Sequence, residues 1–516
     1  MHTRLASFAL ALAAASPAMA QSSSHDPTWW DKYLYLANNG PDALQLTAPS
    51  ASTGTNVDVS NECGPQSETF IAINPRKPTQ LAAGSNEIFR LPMEGYFSSD
   101  DGATWGRVDL PLPPPIGTNG IDFGSDPTLA FDSSGNLFYG YIVVFFGNGL
   151  GQSIKGTEMA VARSTDGGRS WPQVTFFEFN GGTDHFNDKP MVTTDANVRS
   201  PFRDSVYAAW DAASGGSSAG GVRFARSRDH GASFTTIRID DPSGPGRAIG
   251  ATVTTGPDGQ VYVAWNDIAA NTITFNSSLD GGVSFGTPTV IAAKSIPFDI
   301  GIPAEFNRRA LVYPACDADR SKGAHRGRIV CSWMDLTRDG QDTDIFASFS
   351  DDEGATWSPR YTVAESLAGA DRFNHWLATD PVTGGVSVSY YDTRNDSTGG
   401  KFETDIYLSR STDGFHFAPS LKVTDAKSNE HDCHGLFPCP SINYGNQQGD
   451  YEGVAAFGGV VHPIWTDSRR NQERAGDPTC GRGRGIMEEV FTATVKCIDG
   501  GARLGRGEDR DQDTLC

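Results

Sequence analysis

The residues best suited to chemistry lie in short loops that lead into β-rich runs. These loops are Ser125-Asp126, Asp184-His185-Phe186-Asn187-Asp188-Lys189, Glu305-Phe306-Asn307-Arg308-Arg309, Asp371-Arg372-Phe373-Asn374-His375 and Gln448-Gly449-Asp450-Tyr451-Glu452. A carboxyl such as Asp188 and an imidazole such as His185 or His375 can carry protons near neutral pH when their surroundings tune them. A guanidinium such as Arg309 matches a carboxylate with two parallel hydrogen bonds. Asp188, Arg309, His375 and Tyr451 hold similar positions with different chemistry, as expected of a site assembled from several repeated units. Each also has a plain reading as a hydrogen-bonded loop brace.

A second set of loops repeats where the first varies. It reads Trp333-x-Asp335-x-x-Arg338, Tyr391-Asp392-x-Arg394 and Trp465-x-Asp467-x-Arg469, with Trp210-Asp211 and Trp265-Asn266-Asp267 lacking the arginine. One residue type recurring in unit after unit is the pattern of a buried brace, so these aspartates read as structural.

A repeated all-β unit must position both sets. Alternating runs such as Gln260-Val261-Tyr262-Val263-Ala264-Trp265 are bounded by Gly, Pro, Asn and Asp turns, and no long helical period appears. The phrase Ser-x-Asp-x-Gly-x-Ser/Thr-Trp/Phe stands intact at 98–105, 164–171, 227–234, 278–285 and 350–357, and shortened by one residue at 411–417. Its aspartates are 51 to 72 residues apart, the spacing of a supersecondary repeat. Ser and Asp can bond nearby backbone, Gly supplies a left-handed turn residue, and the aromatic folds back on the sheet. Inner strands are predicted to begin near Thr69, Pro127, Pro190, Ala251, Ala310, Trp376 and Gly453, which makes seven units. The seventh has no such phrase and no clear fourth strand. The segment Thr55-Asn56-Val57-Asp58-Val59 is expected to complete it, because an open sheet edge invites foreign pairing.

The repeated phrase resembles the Asp box of the sialidase (BNR-repeat) superfamily, whose members carry it between the third and fourth strands of β-propeller blades. The resemblance implies an all-β, seven-bladed β-propeller over residues 50–497, with a six-bladed sialidase propeller as the alternative. Strand polarity then puts the boxes on one face and the chemically varied loops on the other, where propeller sites usually lie. The function implied is that of a secreted sialidase-like glycoside hydrolase (exo-α-sialidase type) acting on an acidic glycan. Sialidases of this kind clamp the substrate carboxylate with three arginines and use a Tyr nucleophile activated by Glu, with an Asp acid/base. Arg90, Arg309, Arg394 and Arg469 are the clamp candidates, with His185 as a further substrate contact. Tyr451 or Tyr391 is the nucleophile, Glu452 its partner, and Asp188 or Asp126 the acid. Phe89-Arg90-Leu91-Pro92, however, follows a second strand, whereas the superfamily's Phe/Tyr-Arg-Ile-Pro motif enters the first inner strand.

Two other readings stand beside it. Similar seven-bladed relatives include lyases of uronate-containing polymers, whose tasks would suit Arg309, His375 or His185, and Tyr451. A non-catalytic glycan- or protein-binding propeller would use aromatics such as Phe186, Phe373 and Trp376.

The remaining features set compartment and partners. Residues 1–20, with Arg4, an Ala/Leu-rich core and Ala18-Met19-Ala20, read as a secretory signal, so a secreted or periplasmic protein is expected. No later stretch is apolar enough for a membrane span, and a formal charge of −21 argues against nucleic acid. Carbohydrate is the expected partner of a monomer. The eight cysteines suggest disulfides, with Cys316–Cys331 and Cys433–Cys439 preferred. Residues 21–49 form an aromatic N-terminal extension and 498–516 an acidic tail. No cofactor is expected. Asp509-x-Asp511-x-Asp513 offers a structural calcium set, an acidic solvated tail being the favoured reading.

Overall fold

The computed structural model describes residues 28–41, 55–62, 64–116, 121–146, 154–181, 186–213, 221–240, 248–305, 308–365, 367–431, 448–469 and 488–496. Its strands form seven antiparallel blades around one axis. Blade one is Gln66–Ile73, Leu81–Glu87, Glu94–Ser98 and Gly106–Asp109, in that order from axis to rim. Blades two to four begin at Phe123–Phe131, Phe186–Thr194 and Ala248–Thr255, and blades five to seven at Ala315–Ala318, Arg372–Thr379 and Gly453–Phe457.

The fifth inner strand starts later than predicted. Ala310–Leu311 instead pairs with Asp299–Ile300 in a separate ribbon. Pro314, which has no N–H for a ladder, stands between the two segments. The ring closes as expected, with Val57 opposite Thr492 and Asp58 opposite Phe491, so the first described strand completes the last blade. Cys316 and Cys331 face each other across blade five and are disulfide-bonded; the other six cysteines lie outside the described residues. Among the described residues the only helix is Thr28–Asn39, and none is long and apolar enough to cross a membrane.

Each Asp box is a closed hydrogen-bond circuit. In the first, Ser98 Oγ donates to Asp100 (2.8 Å) and accepts from Gly102 N (3.0 Å), while Thr104 donates to Asp100 through backbone (3.0 Å) and hydroxyl (2.6 Å). The shortened sixth copy keeps its staple because His416 replaces the missing hydroxyl, with its backbone N at 2.8 Å and ring Nδ1 at 2.6 Å from Asp413.

The boxes also join blades. Thr175 and Thr289, on outer strands, donate to the box carbonyls of Gly231 and Gly354 in the next blade. Each box glycine seats on the blade before it. A Cβ at Gly354 would lie 2.0 Å from Phe275 Cε1, and φ there is +87°. Gly340, at φ +70°, has nothing within 4 Å. Gly354→Ala therefore combines left-handed strain with overpacking and should cost about 2–4 kcal/mol in denaturant unfolding, against roughly 1 kcal/mol for Gly340→Ala. Equal costs would mean that the boxes act only within their own hairpins.

Candidate functional site

Five of the seven inner strands break register at the same height. The breaks fall between Ser67 and Phe70, Ser125 and Thr128, Asp188 and Met191, Ile249 and Thr252, and Phe373 and Trp376. Inside each bulge one residue is left-handed: Glu68 (φ 54°), Asp126 (62°), Lys189 (54°), Gly250 (68°) and Asn374 (43°). Four of the five are not glycine, at a cost of roughly 1–2 kcal/mol each. Repeated strain of this kind marks functional sites, where the surroundings over-determine it.

The bulges bring charged side chains from several blades to one end of the channel. Lys189 Nζ lies 3.4 Å from the centre of the Tyr451 ring and 4.7 Å from that of Tyr313, with Glu68 at 3.6 Å and Asp450 at 3.7 Å. Arg308 grips Asp450 through Nε (2.9 Å) and Nη2, and the Tyr313 hydroxyl donates to the other Asp450 oxygen at 3.1 Å. Burial opposes the charged form of Asp450, yet Arg308 and Lys189 together hold its carboxyl below the usual range. Asn86 donates to Glu68 (2.8 Å), and Asn374 donates to Glu305 (3.3 Å) and to the Gly449 carbonyl (3.0 Å). All these side chains are buried.

Asp126 and Asp188 influence one another electrostatically between blades two and three. Burial is the main cause that pushes each up to about 7; the facing carboxylate adds to the rise at Asp126, and Asp211 adds to it at Asp188. Two buried carboxyls that each resist ionising are therefore expected to retain a proton between them near neutral pH. Asp126 is fixed by Ser125 Oγ (2.7 Å), by its own N–H on Asn86 (2.8 Å) and by Lys189 N (3.1 Å).

The other candidates fall in several places. Tyr451 belongs to this mouth, but its hydroxyl donates to the Pro127 carbonyl at 2.9 Å, and burial holds it well above the usual tyrosine range. Its neighbour Glu452 is buried with its carboxyl pushed well up. Burial lowers His375 to about 4, leaving a neutral imidazole. Tyr391 donates to Thr466 O (2.8 Å) and accepts from Thr466 N (3.1 Å).

The four clamp arginines are not brought together. Arg90 sits among Glu62, Glu94 and Asp109 in blade one, and Arg309 pairs with Asp299 (2.9 Å). Arg394 pairs with Asp392 (2.6 Å) and Glu365 (2.5 Å), and Arg469 with Asp467 (2.7 Å) and Asp425. His185 and the aspartates of the tail lie outside the described residues.

Two of the repeated aspartates, Asp335 and Asp211, are braces between blades, while Asp392 and Asp467 hold arginines of their own blades. Asp335 accepts from Ser295 N (2.9 Å) and Ile296 N (3.1 Å), and Asp211 accepts from Gly250 N (2.5 Å), which fixes the fourth bulge. Among the described residues the three carboxylates close enough to share a metal are Glu62, Glu87 and Glu94. Arg107 lies 2.9 Å and Arg90 3.6 Å from Glu62, so guanidinium charge already fills that cluster.

No family description and no curated protein matches this sequence. Solved structures similar to it include the intramolecular trans-sialidase of Ruminococcus gnavus in complex with oseltamivir carboxylate, 13% identical over 62% of this chain and 89% of that one, TM-score 0.44. The leech intramolecular trans-sialidase with 2,7-anhydro-Neu5Ac is 14% identical over 76% and 71%, TM-score 0.45. The GH93 α-L-arabinofuranosidase of Fusarium graminearum with arabinobiose is 13% identical over 69% and 97%, TM-score 0.43. The architecture rests on the blade order and on the hydrogen-bond circuits of the Asp boxes. The fold is a seven-bladed β-propeller.

Within this propeller, the sequence pointed to Asp126, Asp188 and Tyr451 but not to Glu68, Lys189, Arg308, Tyr313 or Asp450 as their companions. The signal was present, since Glu68, Asp126 and Lys189 hold one equivalent place in three blades.

Two expectations follow from this electrostatics. Asp450→Ala leaves the buried Arg308 guanidinium without its fork partner and should cost roughly 3–5 kcal/mol in chemical denaturation. A double-mutant cycle with Arg308→Met should recover much of that loss; simple additivity would rule out the pairing as the cause.

Stability should also peak in mild acid. Serine hydroxyls hold the box carboxyls Asp229 and Asp280 down at about 2, and stability from such lowered acids is lost as pH falls below their unfolded value near 4. Asp126 and Asp188 at about 7 and Asp211 at about 8 are raised, so their contribution is full only below the unfolded value near 4 and is lost as pH climbs from there through 7 to 8. The thermal midpoint should be higher near pH 5 than near pH 3 or pH 8; a steady rise from pH 5 to 8 would contradict the buried-acid assignment.

Proposed function

We propose that the bulged end of the channel is the catalytic mouth of a glycoside hydrolase acting outside the cytoplasm. The observation that carries this reading is the placing of two buried carboxyls, Asp126 and Asp188, at adjacent bulges of this mouth, where burial favours their protonated forms. Such a pair can protonate the leaving oxygen of a glycosidic bond, while a separate carboxylate supports the positive charge that develops on the sugar ring. Asp450 suits the second role. It stays ionised, and Arg308 and Tyr313 occupy both of its oxygens, which favours electrostatic support over direct attack. Tyr451 supplies a ring wall, since its hydroxyl is committed to Pro127.

The substrate best supported is a neutral glycan. Arg90, Arg309, Arg394 and Arg469 are each bound to carboxylates in separate places, and Arg308, the arginine at the mouth, holds Asp450. A sialic acid or uronate would bring a further carboxylate to a mouth already rich in acids. The Cys316–Cys331 bond supports an oxidising compartment.

A panel of neutral oligosaccharides and aryl glycosides, run beside sialosides and uronate polymers, tests the reading. Release of reducing ends from a neutral glycan is expected, with kcat falling by about 10²–10⁴ in Asp188→Asn and in Asp126→Asn. The acid must be protonated, so activity should be present below pH 7 and fall as pH rises through about 7. Released sialic acid, new unsaturated-uronate absorbance, or glycan retention without turnover would each overturn it.

A further inference from the structure

A cavity of about 390 Å³ lies away from the bulged end. It lies on the axis toward the Asp-box face, where the turns between first and second strands project. Its apolar wall is contributed blade by blade, by Ile73, Phe131, Val192, Val253, Leu377 and Phe457 among others. Trp376, which also lines it, packs against Tyr451 with ring centres 6.0 Å apart and separates this chamber from the polar mouth above.

We propose that this chamber is a second binding site, for a small amphipathic anion with an apolar chain or ring and a single anionic group. Its volume is that of a small-molecule pocket rather than a packing defect. Val198 and Val382, two of its lining residues, are 64% and 54% exposed and present apolar surface to solvent at the lip.

The charge around the lip selects the sign of the ligand. In a chain of formal charge −21, the turns at this opening carry Arg76, Lys77, Arg199 and Lys322, all exposed and none ion-paired among the described residues. Arg76 follows the lining residue Pro75, and Arg199 follows Val198. The acids of the same turns are committed elsewhere. Asp380 accepts from Val382 N (2.8 Å), Thr383 N (3.2 Å) and Gly459 N (2.7 Å), and Asp195 accepts from Asn197 N (3.2 Å) and Ser200 Oγ. Asp317 is spent on Thr254 (2.6 Å), Thr379 N (2.8 Å) and Arg320 (2.7 Å). The opening therefore presents cations without ion-pair partners among the described residues around a chamber with both apolar and polar wall, which complements an anion with an apolar body.

Octanoate and octanol are the probes, titrated onto the full chain by calorimetry with thermal shift as a second readout. Octanoate should bind saturably with one site and raise the midpoint, octanol should bind about tenfold or more weakly, and 0.5 M NaCl should narrow the gap, since added salt screens exposed charge. The exposed pair of changes Arg76→Glu/Arg199→Glu should weaken octanoate about tenfold or more and leave octanol unchanged. Ala378→Trp, which fills the chamber from its wall, should abolish both. If Ala378→Trp does not fold, the charge-reversal pair decides alone. No saturable octanoate binding, equal affinity for octanol, or octanoate binding indifferent to the charge reversal would each overturn the proposal.

Discussion

A left-handed residue in the bulge at the head of the inner strand is the constraint on which the site depends. A regular strand alternates its side chains between two faces, so consecutive residues cannot both serve one place. The bulge sets two residues against one partner and breaks that rule. In blade three this lets Asp188 join Asp126 while Lys189 reaches Glu68, Asp450 and the two tyrosine rings. Strain at Glu68, Asp126, Lys189 and Asn374 is affordable only because neighbouring blades fix them, through Asn86 on Asp126 and Gln448 O on the Glu68 amide, for instance.

That fixing needs rigid blades, and the opposite face provides them. The Asp-box circuits close each outer hairpin, and their glycines seat on the preceding blade, so the ring is stitched from below. Pairing of Val57–Asp58 with the last blade turns seven sheets into a closed ring with no free edge at the seam. One face thus carries the repeated, structural chemistry, and the other carries the residues that differ from blade to blade.

This division explains what could be read from the sequence. The boxes and the blade count were legible because each is a local pattern with a local cause, and the closing strand because a ring cannot be left with an open edge. The fifth inner strand was misplaced by a few residues because alternation at Ala310–Leu311 looks like a strand, and is one, but Pro314 separates it from the blade. At the site, Asp188 and Tyr451 were legible as odd residues at a repeated place. The arginines were harder: sequence shows a guanidinium but not the carboxylate that already holds it, as Asp392 and Glu365 hold Arg394. Glu68, Arg308 and Asp450 were obscure for the converse reason, since their meaning lies in contacts spanning up to 382 residues, such as that of Asp450 N with Glu68 Oε1.

The central claim is that two aspartates on adjacent bulges share one proton near neutral pH. It is tested most directly by following the carboxyl carbons of aspartate-labelled protein by NMR across the pH range, in the native chain and in Asp126→Asn and Asp188→Asn. A coupled resonance pair titrating near 7, lost in either variant with the surviving carboxyl shifted, is the result the account predicts. Two carboxyls titrating independently near 4 would contradict it.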